Sequence, residues 1–132
     1  MQFTVSEKVR DLAREHLIAA GKPHAELHEC RILFVLKDKG AASVSKVNPL
    51  WKQIAGYDVV IQIPQEDWLF YSENGKDVAY LDHLLSHVEY DDQKDDYLIL
   101  EPSIQEFPGV LKRHGAWRAE VEDLLEAEMV EA

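Results

Sequence analysis

Cysteine is almost absent from this sequence: Cys30 stands alone, so the chain cannot form an internal disulfide. A chain without disulfides suits a reducing compartment, and we therefore expect a cytoplasmic location. Long apolar runs are also missing, and none approaches the roughly 18 residues that a membrane-spanning helix needs. The first residues lack the charged-then-apolar order of a signal peptide, which agrees with the same expectation.

Basic residues are scarce as well: 14 Lys and Arg stand against 25 Asp and Glu, giving a net charge of −11. Direct nucleic-acid binding is disfavoured, because phosphate contact needs a basic surface. Residues 91–132 hold twelve acids and four bases. This acidic third is either a solvated face that aids solubility or a surface for a basic protein partner. The residues of that candidate surface are Asp91, Asp92, Asp95, Asp96, Glu120, Glu122, Asp123 and Glu126.

The sequence indicates neither a phosphate-binding loop nor a cysteine nucleophile. The six glycines are scattered, and none belongs to a glycine-rich phosphate loop. Cys30 lies close to His28, but neighbours along a chain seldom form a useful nucleophile pair, and a lone cysteine is more often a buried thiol.

The pattern of apolar residues predicts one α+β domain, since 132 residues can bury a single core. Continuous apolar or β-branched runs predict strands at 31–36, 57–63 and 97–100, with a short one near 44–47. Amphipathic spacing and end signals predict helices from Ser6 to about residue 20, at 49–56, at 77–89, at 103–114 and from 117 onward, with a charged loop at 91–96. No internal repeat or linker divides the chain.

The predicted helix at 77–89 carries two histidines four residues apart, His83 and His87. Both lie on one face, away from the apolar stripe of Leu81, Leu85 and Val88. This is the spacing of the two zinc ligands in the HExxH motif of metallopeptidases, and zinc accepts neutral imidazole readily. The alternative is a pair of exposed or hydrogen-bonded histidines, because short spacings also arise by chance.

Several segments occur in an order that makes the chain similar to a known family. They are the HAEL segment 24–27, the strand 57–63, Trp68, the segment LDHLLSH at 81–87, and the distal segment 105–117 with its EF and RHG sequences. In this order they resemble the phage metallopeptidase family, small zincin-like proteins of phages and prophages with a DHELxH helix. The resemblance runs from about residue 23 to 117. It implies a zincin-like domain over 1–132, with a short mixed sheet against the histidine helix and an acidic C-terminal helix at 117–132.

The resemblance also assigns roles to single residues. His83 and His87 match the two motif histidines, and Glu106 matches a family glutamate that is our candidate third metal ligand. Asp82 matches the aspartate before the first histidine, a candidate hydrogen-bond partner behind the metal site. For two of these residues an alternative stays open. Glu106 also fits a helix capping box that starts at Ser103, and Asp82 also fits a carboxylate on the solvated face of a helix. His114, in the RHG segment, also fits the end of a helix, where a cation meets the negative end of the dipole.

Leu84 stands where the HExxH motif has its glutamate, and this departure decides the expected chemistry. That glutamate takes a proton from the attacking water, and positioned acid–base catalysis contributes about 10²–10⁴-fold to a rate. We therefore expect an inactive metallopeptidase-like protein that acts by binding, with zinc as a possible structural ion. An acidic inhibitor of a host nucleic-acid-binding complex is one form of that expectation. The alternative is an active zinc peptidase with an unconventional base.

Overall fold

A four-stranded sheet with four helices forms the body of the protein in a computed structural model, which describes residues 2–100, 110 and 113–114. The strands are β1 (Phe3–Val5), β2 (Ile32–Lys37), β3 (Ser43–Lys46) and β4 (Val59–Pro64). The helices are α1 (Glu7–Ala13), α2 (Pro49–Ala55), α3 (Gln65–Glu73) and α4 (Asp77–Leu85). A separate hairpin pairs β5 (Val88–Asp91) with β6 (Asp96–Ile99). The predicted α+β fold with a short mixed sheet is confirmed.

The two predicted central strands, β2 and β4, lie side by side and run parallel, from the pair Ile32–Val59 to the pair Lys37–Pro64. The edge strands β1 and β3 pair antiparallel to them, so the sheet order is β1-β2-β4-β3. Both central strands are rich in β-branched and aromatic residues, which suit a pleated surface that is buried on one side. That side packs against α1 and α4, and the shared core includes Val9, Ala13, Leu17, Ile32, Phe34, Val59, Ile61, Ile63, Leu81 and Leu85.

Local signals at the helix ends act as the sequence predicts. The Ser6 hydroxyl accepts a hydrogen bond from the Val9 amide over 3.2 Å, which caps the start of α1. Asn48 caps α2 in the same way, and Gly56 ends that helix with a φ of +81°, a conformation that favours glycine. A π-helical turn at Arg14–Ile18 continues α1.

The histidine helix is shorter than predicted, since it ends at Leu85 and not near Glu89. The Ser86 hydroxyl donates back to the Asp82 carbonyl, and the next residues leave the helix for strand β5. The reason lies outside the local sequence, because β5 is stabilised by pairing with β6, whose residues are five to eleven positions further along the chain. The predicted loop at 91–96 is the turn of this hairpin.

Besides β5, strand β1 and helix α3 were not predicted. Helix α3 buries Trp68 but leaves Leu69 and Phe70 more than half exposed, so its apolar residues do not follow a helical stripe. Strand β1 has only three residues, all exposed, and exists through its pairing with β2. Neither element could be recognised from hydrophobic periodicity.

The C-terminal part is described at three residues, Val110, Arg113 and His114, and all three are helical, as predicted. The remainder of the two predicted C-terminal helices lies outside the described residues. In the described part of the chain, no helix has the length and apolar character needed to cross a bilayer.

A candidate metal centre beside a buried aspartate

The two motif histidines meet in space although they belong to different elements. His83 lies on α4 and is buried, whereas His87 follows the helix end and is half-buried. Their ring centres are 5.1 Å apart and their planes are nearly perpendicular, at 89°. Two imidazoles on one tetrahedral zinc ion, each bonded at about 2.0–2.1 Å, place their ring centres about 5 Å apart. The pair therefore fits two ligands of one zinc ion.

A backbone contact orients His87. Its Nδ1 lies 2.6 Å from the carbonyl oxygen of Leu100, the residue that follows β6. A carbonyl oxygen only accepts, so Nδ1 carries the proton, and the neutral ring keeps its lone pair on Nε2. Such a hydrogen bond behind a histidine ligand sets both its tautomer and the direction of its metal-binding nitrogen. The β5–β6 hairpin thus prepares His87 for coordination.

A pocket of about 580 Å³ opens over these histidines. Its walls come from the start of β3, from α3 and α4, and from the end of β6. The lining residues are Ala42, Ser43, Val44, Asp67, Tyr71, Tyr80, His83, Leu84, His87 and Ile99. A site with two histidines at one side of a pocket of this size has room for a ligand larger than water.

Leu84 forms part of the same pocket wall and is only 3% exposed, because it packs into the hydrophobic core. An aliphatic side chain thus stands beside His83, at the place where the motif has a carboxylate. The pocket does contain another carboxylate, that of Asp67 on α3. The sequence did not single out Asp67, since α3 itself was not predicted and no motif marks its position.

Among the described residues, no group of three or more His, Cys, Asp or Glu side chains could hold a metal ion. His83 and His87 are two candidate ligands, and Asp67 in the same pocket does not complete a group of three with them. Glu106, the predicted third ligand, lies outside the described residues, as do Ser103 and the rest of the predicted capping box. The role of Glu106 therefore stays a prediction.

The carboxylate of Asp82, one residue before His83, is fully buried and receives four charge-assisted or polar contacts. His24 Nε2 donates to Oδ1 over 2.6 Å, and His114 Nε2 donates to Oδ2 over 2.9 Å. Arg113 spans both oxygens, with Nε and Nη2 each at 2.6 Å. This bidentate geometry is the strongest arrangement that arginine makes with a carboxylate.

The charge state of Asp82 follows from these contacts. Burial alone would raise the pKa of Asp82, but the hydrogen bonds from Arg113 and His24 outweigh it and hold the pKa well below its usual range. Asp82 is thus an ionised, buried carboxylate rather than a solvated one. It ties α4 to the segment before β2 and to the C-terminal RHG sequence.

Sequence reasoning had not assigned His24 or Arg113 a role. Both belong to segments that carry the family resemblance, HAEL at 24–27 and RHG at 113–115, and this order along the chain was the available signal. His114 contacts Asp82 through Nε2. No rule of local spacing could bring these residues together, because 58 positions separate His24 from Asp82.

The predicted acidic surface is structured at the hairpin turn. Asp91 accepts from the Gln93 amide, Asp95 accepts from the Tyr90 hydroxyl, and Asp96 pairs with Lys46 at 2.6 Å. Asp92 is exposed at the turn, which leaves its charge toward solvent. The other four residues of that surface, Glu120, Glu122, Asp123 and Glu126, lie outside the described residues.

Cys30 is a buried residue and not a reactive one. The thiol is 2% exposed, and burial, followed by the nearby charge of Asp58, raises its pKa to about 12. The thiol is therefore neutral at physiological pH and shielded from reagents, in agreement with the prediction of a buried cysteine.

Comparison with known proteins assigns nearly the whole chain to one family. The family model described as "Putative phage metallopeptidase" matches residues 1–127. A search of the curated proteins and a search of the solved structures each found no match. The match covers every residue of the histidine pair, the pocket and the Asp82 cluster, as well as Glu106. The chain therefore belongs to this phage metallopeptidase family.

Proposed function

We propose that this protein holds a zinc ion between His83 and His87 but does not hydrolyse peptides, and that it acts by binding. The observation that carries the proposal is Leu84 in the wall of the histidine pocket, next to His83. A pocket that keeps two correctly spaced imidazoles but has lost the motif carboxylate can still bind a metal and a ligand. Glu106 is the proposed third ligand.

The chemistry of the residues explains the loss of activity. Bound zinc in a peptidase polarises the carbonyl and lowers the pKa of its water, but a base must still move the proton to the leaving amine. His87 cannot serve in this proposal, because Nδ1 donates its proton to the Leu100 carbonyl and Nε2, the remaining lone pair, would bind the zinc. Leu84 offers methyl groups, which neither accept a proton nor solvate a charge. The residues at the motif helix therefore support binding and not turnover.

Metal analysis of the purified chain tests the zinc site. We expect about one zinc per chain in the wild type, and an at least tenfold weaker affinity after His83→Ala or His87→Ala, since each removes one ligand. His16→Ala is the matched control, because His16 is exposed on the turn after α1. The measurement is metal content by mass spectrometry together with a competition titration. Equal zinc affinity in all three variants would refute the site.

A second candidate function is favoured by Asp67, whose carboxylate lines the same pocket as both histidines. In that case Asp67 replaces the motif glutamate as general base, and the protein is an active zinc peptidase. A peptidase assay with and without a chelator separates the two functions. Chelator-sensitive cleavage that disappears in Asp67→Asn supports the second function, whereas absence of cleavage in the wild type supports the first.

The proposal also names a partner, a basic host protein from a nucleic-acid-binding complex. Asp92, which is exposed at the hairpin turn, is the residue of the acidic surface that we propose to test. Host proteins retained on heparin provide the probe, since heparin retains nucleic-acid-binding proteins. Salt-sensitive association that Asp92→Lys weakens and Glu66→Lys leaves unchanged supports this partner; Glu66 is an exposed acid on α3. Equal association of both variants contradicts it.

A further inference from the structure

A second pocket, of about 310 Å³, lies at the other end of the sheet from the histidines. Its walls are the start of β2, the face of α1, and the residues between α2 and β4. The histidine pocket instead adjoins the start of β3, whose Ser43 pairs with Gln62 near the end of β4. The two pockets share no lining residue. The second pocket is therefore a separate feature of the molecule.

Three arginines line this pocket, Arg10, Arg14 and Arg31, out of five in the whole chain. Arg10 and Arg14 are four positions apart on one helical face, and Arg31 faces them from the start of β2. Of the described residues that line the pocket, Glu7 is the only acidic one. The local net charge is thus positive, in a protein whose net charge is −11.

The existing contacts leave this positive charge available. Arg10 pairs with Asp11 at 3.1 Å, but both side chains are largely exposed, so the pair is weak and easily exchanged. Neither Arg14 nor Arg31 donates a side-chain hydrogen bond to another residue in the described part of the chain; the Arg31 contact with Asp58 comes from the main-chain amide. Three guanidinium groups therefore line one pocket, and in the described part of the chain only that of Arg10 is paired with a carboxylate.

Gly56 helps to place Arg31. A Cβ atom at this position would lie 3.2 Å from Arg31 Nη1, so a side chain there would press on the guanidinium. The residue also has a φ of +81°, which only glycine adopts without strain. Because Gly56 has no side chain, the guanidinium of Arg31 can lie against the end of α2, beside the pocket.

We propose that this pocket binds a phosphate group, either inorganic phosphate or the phosphate of a small ester. Three guanidinium groups stand against Glu7 in the lining and against Asp11, the exposed partner of Arg10, so the pocket keeps a net positive charge for a phosphate monoester, which carries roughly −1.5 to −2 at pH 7. The planar fork of arginine suits phosphate oxygens. Tyr57, half-buried in the same lining, offers an aromatic surface for the rest of an ester.

Titration calorimetry with inorganic phosphate and with adenosine monophosphate, each up to about 10 mM, tests the site on the full chain. We expect saturable binding that weakens about tenfold or more in Arg14→Gln and in Arg31→Gln, since each removes hydrogen bonds to a charged group. Lys39→Gln is the control; it removes the same charge from the exposed turn after β2. All three substituted positions are exposed, so the variants should fold, and their melting temperatures check this.

Each outcome decides the proposal. Tighter binding of the nucleotide indicates an ester ligand that uses Tyr57, and equal or tighter binding of inorganic phosphate indicates the ion itself; both support the site. Absence of saturable binding for both probes overturns it. Equal weakening by Lys39→Gln and by the arginine variants also overturns it, because the effect would then come from net charge alone.

Discussion

Replacing Leu84 by glutamate is expected to raise the rate of chelator-sensitive peptide hydrolysis by about 10²–10⁴-fold over the wild type. The Leu84 side chain forms part of the pocket wall beside His83. A carboxylate introduced there would therefore be placed to accept a proton from a water on the proposed zinc ion. Burial of the new charge costs stability, which the metal and water of the site offset only in part. The measurement is hydrolysis of a quenched fluorescent peptide library with zinc and with chelator.

Leu84→Gln is the matched control for this gain, because glutamine has the size and polarity of glutamate without the proton-accepting carboxylate. We expect it to remain as inactive as the wild type while it binds the same amount of zinc. A wild type that already cleaves peptides as fast as Leu84→Glu would contradict the proposed loss of activity. Equal activity of the Gln and Glu variants would contradict the role of the base.

Replacing Asp82 by asparagine is expected to lower the free energy of unfolding by about 3 kcal/mol or more, as when one partner of a buried ion pair is removed. The amide has one accepting oxygen, so it cannot satisfy Arg113 on both sides, and its NH2 group faces either His24 or His114 as a second donor in place of an acceptor. Urea unfolding followed by circular dichroism measures the change. Asp92→Asn is the control, since an exposed turn residue should alter stability by no more than about 0.5 kcal/mol.

The same carboxylate predicts how stability depends on acidity. The folded state lowers the pKa of Asp82, so the unfolded chain binds its proton more readily. The stabilisation is present in full above about pH 4 and is lost progressively as the pH falls from there toward the folded pKa. We expect the difference in stability between the wild type and Asp82→Asn to shrink below about pH 4. A difference that stays constant down to pH 2 would show that Asp82 is not ionised in the fold.

Much of the fold could be predicted from local patterns. The runs at 31–36 and 57–63 have the composition of buried strands, and they became the parallel centre of the sheet. Ser6 and Gly56 mark a helix start and a helix end because capping depends on the residue itself and its nearest neighbours. The loop at 91–96 and the strand after it were predicted, but β5 was missed, since a short charged strand such as Val88–Asp91 is stable only when its partner is paired with it.

The site shows the same division. The spacing of His83 and His87 and the substitution at Leu84 could be read directly, because they lie within five consecutive positions. The hydrogen bond from His87 to Leu100, the pocket carboxylate of Asp67 and the arginine pocket could not, because each joins elements that are distant along the chain.

The sequence by itself determined the spacing of the two candidate imidazoles, the leucine at the motif glutamate position and the family to which the chain belongs, since these depend on residue type and order. Only the tertiary structure decided that Asp82 is a buried anion held by His24, Arg113 and His114, and that His87 leaves the helix yet stays beside His83. The reason is physical: a charge can be buried only where several donors converge, and that convergence is a property of the packed chain.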